Sequence, residues 1–133
     1  MTTDLTYLAY TALLCASMWL PYILGNVMKF GLLKPKDYQG AGLPQRENAP
    51  AWLARANRAH VNTVEVFPSF AALVIIAHVA GEANGVTAMA SMIFFWSRLA
   101  HAIAYILAIP FMRTLLFAIG FVCQLAIGYQ ILT

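Results

Sequence analysis

The chain has 133 residues, of which 62% are hydrophobic and 10% are charged, and its mean hydropathy is +0.73. A soluble domain carries about 25% charged residues, so this composition excludes a soluble fold and predicts a single domain, residues 1–133, that faces lipid. The formal net charge is +3, and six of the eight basic residues fall between Lys29 and Arg58. That segment lacks the interleaved aromatic residues of a nucleic-acid-binding surface, so we expect no nucleic-acid partner.

The first apolar run, residues 5–27, is long enough to cross a hydrocarbon layer of about 30 Å. Pro21 falls inside it and is expected to kink the helix. No basic segment precedes the run, so it is predicted to be a retained helix and not a cleaved signal. Residues 29–50 follow, with three prolines, three glycines and most of the charge. Their composition predicts a loop.

Three further spans follow that loop. The second is predicted over residues 51–80, and residues 81–85 form a short turn with two glycines. The third covers residues 86–109 and is closed by Pro110, and the fourth covers residues 114–132. The predicted fold class is therefore all-α, a transmembrane four-helix bundle.

The basic residues predict how this bundle lies in the membrane. The first loop holds the lysines and Arg46, the third loop holds Arg113, and the second loop carries only the acidic Glu82. Because cytoplasmic loops are enriched in lysine and arginine, we expect the first and third loops to be cytoplasmic and both termini to be external.

Ionisable side chains inside a span are costly and normally face a bundle interior or a wet cavity. At about 100° per residue, the polar residues of the second span fall on one face: Arg55, Arg58, Asn62, Glu65 and Ser69. Those of the third span also share a face: Ser91, Arg98, His101 and Tyr105. Two facing polar stripes predict a pocket.

The residue types indicate what such a pocket would bind. Arginines suit carboxylates, Glu65 could receive an ammonium group, and Asn62 and Tyr105 could orient an amide. A small zwitterion with more than one carboxylate fits this set. The alternative is that Glu65 pairs with Arg58 or Arg98 only to neutralise charge in lipid.

Other polar or reactive side chains have structural interpretations. Cys15 and Cys123 each lie in an apolar run without metal-ligand spacing, which predicts small buried side chains and no metal site. His60 lies off the polar stripe and is interpreted as a helix-contact or interfacial residue. Gln124 is expected to form an interhelical hydrogen bond.

Two motifs carry a resemblance to a known family. The segment from Arg58 to Glu65, followed by Pro68, resembles the R-A-H-x-N-x-x-E-x-x-P signature of the MAPEG family, the membrane-associated proteins of eicosanoid and glutathione metabolism. The segment from Arg98 to Tyr105 resembles that family's R-x-x-H-x-x-x-Y motif, and Arg113 stands where the family has a further arginine. With the four spans, the resemblance covers nearly the whole chain, in the manner of a bacterial-type member.

The resemblance implies a homotrimer in a bacterial inner membrane that binds glutathione between subunits on the cytoplasmic side. It implies a glutathione-dependent transferase or peroxidase that acts on lipophilic electrophiles from the bilayer. Arg113 would be catalytic, nearest the thiol, and the cofactor site would comprise Arg58, Asn62, Glu65, Arg98, His101, Tyr105 and Thr114, the last replacing a family serine. The family also includes a non-catalytic member, so a lipid-binding or accessory subunit remains the alternative.

Overall fold

The structure, a computed structural model, describes residues 1–32 and 49–133. All regular structure in these two segments is helical: α1 (Thr3–Ser17), α2 (Trp19–Phe30), α3 (Ala51–Val79), α4 (Gly85–Ile106) and α5 (Met112–Leu132). The predicted all-α class is confirmed. Lys34, Lys36 and Arg46, which the topology prediction uses, lie outside the described residues.

These helices form four candidate membrane spans, because α1 and α2 together act as one span, Thr3–Phe30. The spans contain 28, 29, 22 and 21 residues in chain order. At 1.5 Å per residue, even the shortest reaches the thickness of a bilayer core, about 30 Å. The chain is therefore an integral, multi-pass membrane protein with a four-helix bundle, as the apolar runs predicted.

The first span is interrupted at Met18, between α1 and α2. Pro21 explains the position of the break, because a proline lacks the N–H that would bond to the carbonyl four residues earlier, that of Ser17, and its ring crowds that carbonyl. Met18 instead donates to Cys15 O at 3.4 Å, a tighter turn. The predicted interruption of this span is confirmed, and Lys29 lies inside α2 and not in the following loop.

Contacts at one end of the bundle show which helix ends lie together. Asn84 caps α4 by accepting from Val86 N and Thr87 N, and its side-chain nitrogen donates to Gln130 Oε1, near the end of α5, at 2.8 Å. Asp4, at the start of α1, lines a cavity with Asn84. Both termini therefore lie at the end that carries the α3–α4 turn, and Arg113 lies at the other.

The corner between α4 and α5 differs from the prediction. The third span was predicted to end at residue 109 and the fourth to begin at residue 114, but α4 ends at Ile106 and α5 begins at Met112. Between them, Ala108 and Phe111 have φ angles of 56° and 65°, which turn the chain abruptly. Arg113 therefore belongs to the first turn of α5, and its assignment to a loop was wrong.

The core lies where α3, α4 and α5 meet. Phe70 and Phe94 stack with their ring centroids 3.8 Å apart, and Val74, Cys123 and Ile127 pack in the same buried cluster. Cys123 is thus a small buried side chain, as expected, whereas Cys15 is only partly buried. Helix α4 contacts α1, α3 and α5, which places its polar stripe within reach of several neighbours.

Gly25 permits a close approach of α2 to α3. A Cβ atom there would lie 2.5 Å from Trp52 and 2.6 Å from Leu53, whereas one at Gly120 would meet its nearest neighbours at 3.5 Å. We expect Gly25→Ala to destabilise the bundle by about 1–3 kcal/mol through overpacking. Gly120→Ala should leave stability equal or raise it, because alanine favours helix.

Thermal unfolding in one detergent, followed by far-ultraviolet circular dichroism, measures both variants. Equal melting temperatures for the two alanine variants would show that the α2–α3 contact is looser than the structure gives.

Candidate functional site

The two polar stripes meet at Arg98 of α4. Its Nη2 donates to Asn62 Oδ1 at 2.7 Å and to Thr63 Oγ1 at 2.9 Å, both on α3. The same nitrogen lies 3.4 Å from His101 Nδ1, one turn further along α4. The predicted contact between the polar faces of the second and third spans is therefore present within one protomer.

Arg98 is among the most deeply buried side chains of the protein, with 1% of its surface exposed, and His101 is 3% exposed. Hydrogen bonds from a charged donor are stronger than neutral ones, so Asn62 and Thr63 offset part of the cost of burying the guanidinium. The Nε of Arg98 is also buried and has no partner among the described residues. Within the two described segments, the guanidinium of Arg98 is thus held through Nη2 alone.

These contacts determine the hydrogen-bonding roles of the neighbours. A guanidinium offers only donors, so Asn62 must turn its oxygen to Arg98 and leaves its NH₂ group for another partner. By the same reasoning, the Nδ1 of His101 accepts, and the neutral ring carries its hydrogen on Nε2. Asn62 and His101 therefore each present a donor away from Arg98.

Glu65 and Arg58 take no part in the hydrogen bonds around Arg98. Both are exposed on α3, whereas Ala59 and Thr63 on the neighbouring face are buried. In the described part of the chain, no ion pair joins Glu65 to Arg58 or to Arg98. The interpretation that Glu65 only neutralises one of these arginines therefore has no support from the structure.

A second group of site residues lies at the α4–α5 corner. A cavity of about 500 Å³ is lined there by Arg55, Tyr105, Arg113 and Thr114, together with residues of the turn. The guanidinium carbon of Arg113 lies 5.2 Å from the centroid of the Tyr105 ring, a cation–π arrangement. Two cations, a phenol and a hydroxyl thus face one space.

Tyr105 connects the two groups. Its ring centroid is 5.7 Å from that of His101, so contacts run continuously from Arg98 through His101 and Tyr105 to Arg113. Glu65 and Arg98 line another cavity, of about 290 Å³, which shares no lining residue with the Arg113 cavity. Within one protomer, five of the predicted site residues are therefore divided between two spaces. The other three, Arg58, Asn62 and His101, line neither of them.

Sequence reasoning missed one contributor, Thr63, and one contact, that of Arg55. Thr63 was not proposed, because it falls on the buried face of α3 among alanines, and only its position beside Asn62 could have suggested it. Arg55 was placed on the stripe, but its Nε donates to Ile106 O at 2.8 Å, a backbone contact that side-chain periodicity does not reveal.

Two predicted structural contacts are present. Gln124 accepts an interhelical hydrogen bond from Ser69 Oγ at 2.6 Å. His60 lies 2.8 Å from the hydroxyl oxygen of Tyr22 and so connects the first span to α3. Both interpretations are confirmed, and neither residue is needed to explain the cluster around Arg98.

Comparison with protein families gives a match to the MAPEG family over residues 6–133. Comparison with curated proteins gives no match.

Thr63 provides a test of the cluster around Arg98. Replacing Thr63 with valine keeps the shape of the side chain but removes one acceptor from a buried cation, which should lower stability by about 1–3 kcal/mol. Thr63→Ser retains the hydroxyl and should lose much less. Thermal unfolding of the two variants in the same detergent makes the comparison, and a valine variant as stable as the serine variant would contradict the assigned hydrogen bond.

Proposed function

The chain belongs to the MAPEG family, and from that premise we propose that it is a glutathione-dependent transferase or peroxidase acting on lipophilic electrophiles within the membrane. The observation that carries the proposal is the Arg113 guanidinium, which stacks on Tyr105 beside a cavity of about 500 Å³. A positive group at such a place can stabilise a thiolate, the reactive form of glutathione.

The position of Arg113 in the first turn of α5 adds to this effect. The N-terminal end of a helix carries a partial positive charge, and thiol pKa values fall both at helix N-termini and beside arginine. A glutathione thiol placed next to Arg113 would lose its proton to solvent. In a transfer, the thiolate would bond to an electrophilic carbon of the lipophile while the leaving group departs with its bonding electron pair. In a peroxidase reaction it would break the O–O bond of a hydroperoxide to give the alcohol and a glutathione sulfenic acid, which a second glutathione thiol would convert to the disulfide and water. Arg113 remains charged throughout, because a guanidinium is not deprotonated in proteins.

The rest of the tripeptide would be held by the other site residues. One of its carboxylates suits Arg58, its ammonium group suits Glu65, and its amide carbonyls suit the free NH₂ of Asn62. His101 would contribute its Nε2–H and Tyr105 its hydroxyl. Arg98 is buried behind Asn62, so we assign it to orienting Asn62 and not to direct contact with the ligand. Thr114 is exposed beside Arg113 and lines the same cavity.

We further propose that the protein assembles as a homotrimer. Glu65 is the fifteenth of the 29 residues of α3, which puts it well inside the span, and it is exposed together with Arg58 and Val64. A charged side chain facing lipid at that depth is unfavourable. A neighbouring protomer packed on this face would cover Glu65 and join the two cavities into one site.

The proposed site faces the cytoplasm of a bacterial inner membrane, because the basic residues concentrate at the Arg113 end of the bundle. The second candidate function is a non-catalytic lipid-binding or accessory subunit. It is favoured by an apolar cavity of about 670 Å³ between α4 and α5, lined by Met89, Ile93 and Val122. Calorimetric titration with glutathione separates the two candidates, since only the enzyme requires the thiol.

Replacing Arg113 with leucine tests its role in activating the thiol. Turnover with a generic electrophile should fall at least about tenfold, equivalent to about 1.4 kcal/mol of transition-state stabilisation. The ultraviolet absorbance of bound thiolate should disappear, whereas glutathione affinity measured by calorimetry should fall much less. Arg113→Lys keeps a charge and should retain part of the thiolate signal. Equal losses of affinity and turnover would instead make Arg113 a binding residue.

Native mass spectrometry in mild detergent tests the assembly. The protomer mass is 14.6 kDa, and we expect a single species of three times that mass. Glu65→Leu removes the charge that is unfavourable in an isolated protomer in lipid. We expect this variant to fold. A wild-type protein that remains a monomer or a dimer at every detergent concentration would refute the trimer.

A further inference from the structure

Arg55 lies at the Arg113 cavity, but its best-defined contact is with the backbone of α4. Its Nε donates to the carbonyl oxygen of Ile106, the last residue of that helix, at 2.8 Å. The last carbonyls of a helix lack partners within the helix and must find donors elsewhere. A cation is also favourable there, because this end of the helix is partially negative.

The neighbouring carbonyls at this end receive their donors from the turn itself. Leu107 N donates to Ile103 O, Ala108 N to Tyr105 O, and Ile109 N to Ala104 O. The next residue in the series is Pro110, which has no N–H to donate to Ile106 O. Arg55 therefore supplies from α3 the donor that the proline withholds.

The turn that depends on this bond is an unusual one. Ala108 and Phe111 both have positive φ angles, 56° and 65°, a region that residues other than glycine rarely occupy. Such conformations persist only where surrounding contacts hold them. Arg113 comes two residues after Phe111, so its position relative to Tyr105 of α4 depends directly on the geometry of this corner.

We propose that Arg55 is a positioning residue for Arg113. By donating to Ile106 O it holds the α4–α5 corner, so that the Arg113 guanidinium stays over the Tyr105 ring at the mouth of the cavity. The consequence for catalysis rests on the function proposed above. The consequence for geometry does not, and it can be measured without any substrate.

Two variants of equal side-chain length separate the hydrogen bond from the charge. In Arg55→Gln, the amide nitrogen stands the same number of bonds from Cα as the arginine Nε, so the donor is kept and the charge is lost. In Arg55→Met, both are lost. Tyr22→Phe is the matched control, because it deletes an interhelical contact to α3 that is also 2.8 Å long but keeps the ring that packs in the same cluster as Ile106.

The geometric readout is the ring-current displacement of the Arg113 side-chain resonances by Tyr105. The chain has five arginines, so ¹⁵N-arginine labelling in detergent micelles gives a small set of Nε–H signals, and Arg113→Lys identifies the one required. We expect the upfield displacement in the wild type, in Tyr22→Phe and in Arg55→Gln. We expect it to be lost in Arg55→Met, as in Tyr105→Leu.

The catalytic readout follows the same pattern. Thiolate absorbance and kcat should stay within about twofold of wild type in Arg55→Gln and fall about tenfold in Arg55→Met. The proposal is overturned if the ring-current displacement is retained in both Arg55→Gln and Arg55→Met. It is also overturned if the displacement is lost in both, because the charge of Arg55 and not its hydrogen bond would then be the cause. If the methionine variant does not fold, loss of the displacement in Arg55→Gln alone contradicts it. A wild type that forms no thiolate refutes the proposed function and leaves the resonance test of Arg55 intact.

Discussion

A guanidinium buried inside a membrane helix is the constraint on which the rest of this bundle depends. Arg98 is the fourteenth of the 22 residues of α4 and is 1% exposed. A buried charge is tolerated only when its donors meet acceptors, and α3 provides two of these, on Asn62 and Thr63. Helices α3 and α4 must therefore pack at one level, since a shift of one turn along either would leave the cation unsatisfied.

From this contact the remaining polar geometry follows in order. Because Arg98 can only donate, it determines which atoms of Asn62 and His101 face the outside. The ring of His101 then contacts the ring of Tyr105, and the guanidinium of Arg113, on α5, lies over the Tyr105 ring. Three helices are thereby connected by one row of polar groups. The same contacts that stabilise the bundle also arrange the donors that a ligand would meet.

Most of the fold could be predicted from the sequence, for identifiable reasons. Pro50 and Gly81 bracket α3 so clearly that its start was predicted to the residue, and its end differs by one. The α4–α5 corner could not be predicted, because Ala108 and Phe111 adopt positive φ angles without the glycines that normally signal them. Pro110 suggested that the loop begins at residue 110, whereas it covers residues 107–111, and Arg113 was consequently placed outside its helix.

The candidate site could be predicted in part. Periodicity gave the angular position of each polar residue around its helix, and it correctly brought Asn62 and Arg98 together. It could not show which part of a stripe faces another helix of the same protomer and which faces outward. Arg98 lies inward and Glu65 outward, although both belong to polar faces, because that choice depends on where the neighbouring helices pack and not on the sequence of one helix.

The unequal lengths of the spans have a consequence for the environment of the Arg113 cavity. The first two spans, of 28 and 29 residues, are about 42–44 Å long, whereas those of 22 and 21 residues are about 32–33 Å, close to the bilayer core. Since α3 and α4 share a short turn at one end, the excess length of α3 accumulates at the other, where Arg55 reaches the end of α4. We therefore expect the corner to lie at the headgroup level, flanked by helices that continue beyond it. The access of water to Arg113 then depends on the thickness of the bilayer. A thicker bilayer would raise the lipid boundary around α4 and α5 and reduce that access, and a thinner bilayer would increase it.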